Sequence, residues 1–151
     1  MTTVRESIDV NVPISTAYNQ WTQFEEFPRF MEGVKSVTQQ GDTRLHWVAE
    51  VNGTTKEWDA QITEQIPDER VAWASVDGAS NAGIVTFERL DATTTRVDVE
   101  MEVEPEGAVE SAGAAMGFVG RSVKDDLKRF KEFIEARGQE SGAWRGEVGV
   151  R

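Results

Sequence analysis

Cysteine is absent from the 151-residue sequence, and histidine occurs once, at His46. Without thiols the chain cannot form disulfide bonds, cysteine nucleophiles or thiolate metal sites. A single imidazole also argues against a zinc or iron site built on histidine ligands. We therefore predict that the protein holds neither a metal ion nor a cofactor.

Basic residues are scarce relative to acidic ones. Lys and Arg number 16, Asp and Glu number 27, and the formal net charge is −11. Nucleic acids and anionic membranes both attract basic surfaces, so we expect neither as a partner. No apolar run approaches the length of a membrane-spanning helix, and the N-terminal residues MTTVRESIDV lack the pattern of a signal peptide. The expected compartment is the cytoplasm.

Alternation of apolar and polar residues predicts an antiparallel sheet. A first strand is expected from Val4 to Val12, and six more between residues 34 and 103. The sharpest turn signal is Asn52-Gly53, which suits a two-residue hairpin. That hairpin would join strands at Leu45–Val51 and Lys56–Ile66.

Two short helices are expected between the first and second strands. Ser15 is a candidate N-cap for a helix that reaches Trp21. Thr22 and Glu25 have the spacing of a capping box, which would begin a second helix that ends at Gly33.

A long helix is predicted from about Val109 to Arg137, because apolar residues recur there at spacings of three and four. Gly138 is its expected stop. The first half of the helix is unusually rich in glycine, at a cost of about 1 kcal/mol per residue relative to alanine. These glycines are Gly113, Gly117 and Gly120.

These elements predict one α+β domain over residues 1–138, followed by a flexible tail over residues 139–151. The tail contains Trp144, which could instead anchor it to the body or to a partner. A curved sheet of about seven strands would lie around the long helix, and the two short helices would close one end. The space between sheet and helix is a natural ligand cavity.

Five segments also carry a family resemblance. They are residues 4–13 (VRESIDVNVP), 17–31 (AYNQWTQFEEFPRFM), 71–73 (VAW), 83–87 (GIVTF) and 127–131 (LKRFK). In these segments the chain resembles the START-like superfamily, also called Bet v 1-like or SRPBCC. More narrowly, it resembles the bacterial polyketide cyclase/dehydrase and coenzyme-Q-binding branch. The likeness spans about Val4 to Arg137 and implies a helix-grip fold.

The candidate ligand-binding residues lie on the inward faces of strands, on the two short helices and on the front of the long helix. Each could alternatively be ordinary core. They are Phe27, Phe30, Met31, Trp47, Trp58, Trp73, Phe87, Val99, Met101, Ala112, Met116 and Val119.

Few residues could transfer a proton in such a cavity. Glu6 is in phase with the apolar face of the first strand, where burial would raise its pKa; it could alternatively reach water or an arginine. Ser75 is in phase with Trp73 and could place a hydrogen bond at the cavity mouth. His46 alternates with Leu45 and Trp47, which puts it on the outer face and leaves no base for a serine triad.

Three functions remain open at this point, because the implied superfamily includes lipid carriers, quinone binders, aromatase/cyclases and stress proteins. The first is binding or transport of a small hydrophobic molecule: a lipid, quinone, isoprenoid or polyketide-like compound. The second is an aromatase/cyclase-type enzyme that uses Glu6 or Ser75. The third is a protein-interaction or stress module. The sequence leaves the ligand and the oligomeric state undetermined.

Overall fold

The computed structural model describes residues 2–31, 33–41, 43–51, 54–78, 81–103, 112–143 and 146, and within the last helix it describes side chains from Val123 onward. The elements, in chain order, are β1 Thr2–Val10, α1 Ile14–Trp21, a 3-10 helix Phe24–Arg29, β2 Val34–Gln39, β3 Arg44–Val51, β4 Thr54–Ile66, β5 Arg70–Gly78, β6 Asn81–Asp91, β7 Thr94–Val103 and α2 Ala112–Arg137.

The seven strands form one antiparallel sheet in the order β1-β7-β6-β5-β4-β3-β2. Strands β2 to β7 therefore follow one another as a meander, and β1 pairs with β7 in a register that places Val4 opposite Met101. The sheet curls into a half-barrel, and α2 completes the helix-grip architecture. This confirms the fold class predicted from the alternation of residues and from the family resemblance.

The buried face of α2 meets the core through residues at helical spacing. Leu127, Phe130 and Ile134 are each at most 2% exposed and belong to the same apolar cluster as the inward residues of the sheet. Neither α1 nor the described part of α2 combines the length and apolar composition that a membrane crossing demands.

The capping predictions for the two short helices are wrong. α1 begins at Ile14, one residue before the predicted cap Ser15, because the Pro13 carbonyl already accepts the Ala17 N–H at 3.1 Å. Thr22 does not cap the second helix; its hydroxyl donates to the Asn19 carbonyl at 2.6 Å and so closes the end of α1.

The second short segment is a 3-10 helix that contains Pro28 and ends at Arg29, before the predicted stop at Gly33. Proline supplies no N–H and crowds the preceding turn, so a regular α-helix is disfavoured there. The tighter 3-10 winding is common in such short pieces.

The end of β1 differs from its predicted limit, and two other predicted features lie outside the described residues. β1 ends at Val10 rather than Val12, because the Asn11 N–H donates to the Glu135 carboxylate of α2 at 2.8 Å instead of extending the sheet. Asn52 and Gly53, the predicted hairpin turn, lie outside the described residues, as do residues 109–111 of the predicted long helix.

Gly138 ends α2 as predicted. Its φ of +73° lies in the left-handed region that glycine adopts without strain, and its N–H donates to the Ile134 carbonyl at 2.9 Å.

The residues that follow Gly138 are held on α1 by side-chain hydrogen bonds. Gln20, which is fully buried, donates from Nε2 to the Ser141 hydroxyl at 3.0 Å and accepts the Ser141 N–H at 2.8 Å. Asn19 donates to the Glu140 carboxylate at 2.7 Å. Residues 139–141 therefore dock on α1, while Trp144 lies outside the described residues. The predicted division at residue 138 stays a prediction.

Replacing Gln20 with alanine should release this segment from α1. Two neutral hydrogen bonds are lost, so we expect a loss of about 1–3 kcal/mol in the free energy of unfolding. Amide hydrogen exchange of residues 139–143 should also become faster than in the wild type. Gln61→Ala, at an exposed position of β4, is the matched control and should change neither quantity. Unchanged exchange at Ser141 in the Gln20 variant would contradict this account of the docked segment.

Candidate functional site: a stack of tryptophans on the sheet

Three tryptophans from adjacent strands meet on the inner face of the sheet. Trp47 on β3 and Trp58 on β4 are direct cross-strand partners, and their rings stack with centroids 5.8 Å apart and planes inclined by 6°. Trp73 on β5 adds a third ring, 6.4 Å from Trp47 and inclined by 24°. We call these three side chains the tryptophan stack. The structure thus brings together three of the candidate ligand-binding residues.

Small residues make room for the stack. Ala60, fully buried, lies on β4 two residues after Trp58 and pairs with Ser75 on β5. Gly83 on β6 pairs with Trp73, and a Cβ placed on Gly83 would stand 2.5 Å from the Trp73 ring and 2.9 Å from the Met101 sulfur. The Trp73 ring therefore lies directly against a glycine backbone, which no other residue type would permit.

Gly83 is a site residue that the sequence analysis missed. It was noted only as part of a family segment, because alternation places a residue on a face without revealing its cross-strand partner. The usable signal is a glycine inside a strand pattern, which often marks a close approach of another group to the backbone.

The three tryptophans of the stack differ in burial. Trp47 and Trp73 are 6% and 7% exposed, whereas Trp58 is half-buried. Trp58 is therefore the member of the stack that solvent reaches most easily.

Two hydrogen-bond donors of the stack have no acceptor in the described part of the chain. The indole Nε1 atoms of Trp47 and Trp58 are buried and form no hydrogen bond with any described residue. Leaving such a donor unpaired costs about 1–3 kcal/mol, and most buried polar groups are paired. The inner face thus combines a broad apolar surface with two unused N–H groups.

Phe27 and Phe30 lie in a closed aromatic cluster next to the stack. Each is 1% exposed. Phe30 packs against Trp21, Phe27 and Phe130, with ring centroids 5.1 to 5.9 Å apart. We call these four side chains the aromatic cluster. Phe27 also contacts Trp47 at 5.7 Å, so the cluster continues into the stack.

The other candidate ligand-binding residues are distributed over the same core. Met31 is half-buried and packs against its edge. Phe87 meets Tyr18 edge to face at 5.5 Å. Val99 and the half-buried Met101 lie on β7, and the side chains of Ala112, Met116 and Val119 in α2 lie outside the described part of the structure.

The two candidate proton-transfer residues are not brought together. Glu6 is half-buried on β1 opposite Val99, and Ser75 is half-buried on β5 opposite Ala60. β5 is the third strand from β1, so the two backbones are separated by about 14 Å along the sheet. Glu6 instead borders a polar depression along β1 that Arg5, Asp98 and neighbouring residues line. The two residues therefore do not form an acid–base pair.

His46 lies on the outer face of the sheet, as its alternation predicted. Its Nδ1 is 2.7 Å from an Asp59 carboxylate oxygen and its Nε2 is 3.0 Å from a Glu57 carboxylate oxygen. The hydrogen bond to Asp59, followed by that to Glu57, raises the pKa of His46 above its ordinary value of 6.5. Within the described ranges, no group of three or more His, Asp and Glu side chains is arranged to hold a metal ion.

A pH titration of the single imidazole should give a pKa above 6.5. The folded protein then binds this proton more tightly than the unfolded chain does. The resulting stabilisation is complete below about pH 6.5 and is lost as the pH rises through the folded-state pKa. NMR of the only histidine measures the pKa directly. Asp59→Asn should lower it more than Glu57→Gln; a wild-type pKa at or below 6.5 would rule out this pairing in solution.

Comparison with known proteins places the chain in a family. The family model described as polyketide cyclase / dehydrase and lipid transport matches residues 10–132. An uncharacterized 17.2 kDa protein from the melC2-rnhH intergenic region of Streptomyces lincolnensis is 59% identical over 149 residues, which cover 98% of this chain and 99% of that protein.

Solved structures share the fold at low identity. A START superfamily protein from Mycobacterium smegmatis superimposes with a TM-score of 0.76 at 14% identity, covering 89% of this chain and 98% of that one. The Zhui aromatase/cyclase from Streptomyces sp. R1128 gives a TM-score of 0.77 at 14% identity, covering 95% and 99%. With the family match over most of its length, the chain belongs to the polyketide cyclase/dehydrase and lipid transport family and has a START-like fold.

Proposed function

We propose that this protein binds and carries a small hydrophobic molecule on the tryptophan stack, in the space between the sheet and α2. The observation that carries the proposal is the stack itself: on the inner face the Trp47 ring stacks with both Trp58 and Trp73, and Trp58 is half-buried. Burial of apolar ligand surface contributes roughly 25 cal/mol per Å², so a flat apolar molecule on this surface would gain most of its affinity from the rings. The proposed binding unit is residues 1–138, acting in the cytoplasm.

Carriage is favoured over cyclase chemistry because neither candidate is a positioned acid or base at the stack. An aromatase/cyclase-type reaction needs such a group within reach of the substrate. Glu6 lies on β1, three strands from Trp73 on β5, and borders a polar depression there. Ser75 lies on β5, but a serine hydroxyl is a weak proton-transfer group without an activating base, and His46 is on the outer face of the sheet. The description of the family covers both cyclase activity and lipid transport. The preference for carriage therefore rests on the residues of this chain and not on its relatives.

Native mass spectrometry of the purified protein, followed by organic extraction, tests the proposal. We expect either a mass above that of the chain, removable by solvent, or a rise in melting temperature with at least one class of lipophile. A ligand at 100 times its Kd stabilises by about 2.7 kcal/mol, equivalent to about 5–10 °C for a domain of this size.

The Trp58→Ala variant locates the effect. It should reduce the ligand-induced shift by at least half, whereas Val76→Ala, at an exposed position of β5, should leave the shift unchanged. If no fatty acid, isoprenoid alcohol, quinone or flavonoid shifts the melting temperature and no bound mass is found, the binding function is wrong.

A further inference from the structure

We propose that the ligand presents an acceptor oxygen, as a carbonyl, ether or hydroxyl group, to the indole N–H of Trp58, while its apolar body lies along the Trp47 and Trp73 rings. This inference rests on the proposed binding function and adds to it the chemistry of the ligand and its orientation. It follows from the geometry of the stack and from the unused donors within it.

The ring arrangement leaves the Trp58 N–H without a partner among the residues that the structure describes. An indole N–H lies in the plane of its ring, and the Trp58 and Trp47 planes are inclined by only 6°. The N–H of Trp58 therefore runs parallel to the Trp47 ring and does not point at its face. Trp47 is the only ring that contacts Trp58 among the residues that the structure describes.

The other two unpaired indole donors have aromatic neighbours at steep angles. Trp21 Nε1 is also unpaired, but its ring meets Phe130 edge to face at 4.9 Å and is enclosed by Phe27 and Phe30. Trp47 lies beside Phe27 at an inclination of 55°. N–H groups at such angles can interact weakly with a ring face. Among the described residues, Trp58 has no ring placed at such an angle to its N–H, so its donor is the one that an external acceptor would satisfy.

The difference in burial between Trp58 and the other two rings sets the orientation of the ligand. Trp58 is half-buried although its Nε1 atom is buried, while Trp47 and Trp73 are almost fully enclosed. A molecule that enters at the exposed part of the Trp58 ring must displace the atoms that cover Nε1, and it would then keep its oxygen at this end and place its apolar portion against the other two rings. Such a site favours an oxygen-bearing apolar molecule over a pure hydrocarbon of the same shape, because only the former pairs the donor.

Two probes of nearly the same shape test this inference by calorimetry. Tetralin and 1-tetralone differ by one carbonyl oxygen in place of two hydrogens. The ratio of their affinities isolates the contribution of that oxygen. Trp58→Phe keeps an aromatic ring but removes the N–H, and it should reduce the preference for 1-tetralone about threefold to tenfold.

Trp73→Phe is the matched control. It removes a similar amount of ring surface, but the proposed orientation places this ring against the apolar body of both probes, so the ratio should stay within about twofold of the wild-type value. An unchanged ratio in Trp58→Phe, with both probes still bound, overturns the oxygen subsite and leaves the binding function standing. If neither probe binds the wild type, and the lipophile panel and the mass measurement are also negative, both proposals are overturned.

A second readout does not depend on how well the variant folds. In wild-type protein, the indole proton of Trp58 should move downfield with 1-tetralone and not with tetralin, because a new hydrogen bond deshields the proton. Equal displacement by the two probes would contradict the subsite.

Discussion

Gly83→Ala is expected to displace Trp73 from the stack, lower stability and weaken ligand binding. The added Cβ would lie 2.5 Å and 2.8 Å from two carbons of the Trp73 ring and 2.9 Å from the Met101 sulfur. Contacts this short force a shift, and overpacking of a closed site costs about 1–3 kcal/mol. Because the proposed ligand-binding surface includes the displaced ring, we expect affinity to fall about tenfold, or about 1.4 kcal/mol. Thermal unfolding and calorimetry measure the two effects.

Gly33→Ala is the matched control for this substitution. Its Cβ would meet the Glu50 carbonyl oxygen at 3.5 Å, an ordinary van der Waals distance, so stability and affinity should change little. A Gly83→Ala protein with wild-type stability and affinity would show that Trp73 does not lie against the Gly83 backbone in solution.

Phe30→Ala is expected to cost about 3–5 kcal/mol of unfolding free energy, the usual loss for a buried phenylalanine. The ring is 1% exposed and packs against Trp21, Phe27 and Phe130. Its carbonyl also accepts a hydrogen bond from Arg129 on α2 at 3.2 Å, so this position joins the 3-10 helix to α2. Denaturant unfolding provides the measurement. For a domain whose total stability is about 5–15 kcal/mol, such a loss brings the protein close to unfolding.

Phe133→Ala provides the comparison. Phe133 contacts Phe30 at 5.6 Å but is only half-buried, so its loss should be clearly smaller. This pair of variants also separates two roles for Phe30, which the sequence predicted to be a ligand-binding residue. A stability loss below about 1 kcal/mol, accompanied by a large loss of affinity, would favour the ligand-binding role over the core role that we infer.

The sheet could be predicted because its signal is local. Alternation between apolar and polar residues assigns each side chain to a face, and it correctly placed Leu45 and Trp47 inside and His46 outside. The meander followed from the short turns. To predict the overall α+β architecture, only one further signal was needed, the long apolar stripe of α2. That helix ends at Gly138 as predicted.

The site could be predicted only in part, because register and side-chain packing are not local. Trp47, Trp58 and Trp73 were correctly grouped on one face, but their stacking depends on the pairing of Trp47 with Trp58 and on the space above Gly83. The capping prediction at Thr22 was wrong because its hydroxyl can either cap the following helix or bond to the last turn of α1. In the structure it donates to the Asn19 carbonyl of α1.

The docking of residues after Gly138 was also not predictable from composition. Residues 139–151 are polar and glycine-rich, which is typical of a loose tail. Its first residues are held at Ser141 through Gln20, a buried amide on α1 that is 121 positions away in the sequence. No pattern within the tail itself signals that contact.

The most direct test of ligand binding on the tryptophan stack is a titration that monitors the indole N–H resonances of the five tryptophans. Trp→Phe variants at positions 47, 58 and 73 assign the resonances of the stack. With 1-tetralone as the probe, all three should shift and saturate together, while Trp21, enclosed in the aromatic cluster, should move least. Resonances of the stack that stay fixed while others shift, or that all remain unchanged at saturating probe, would contradict the account.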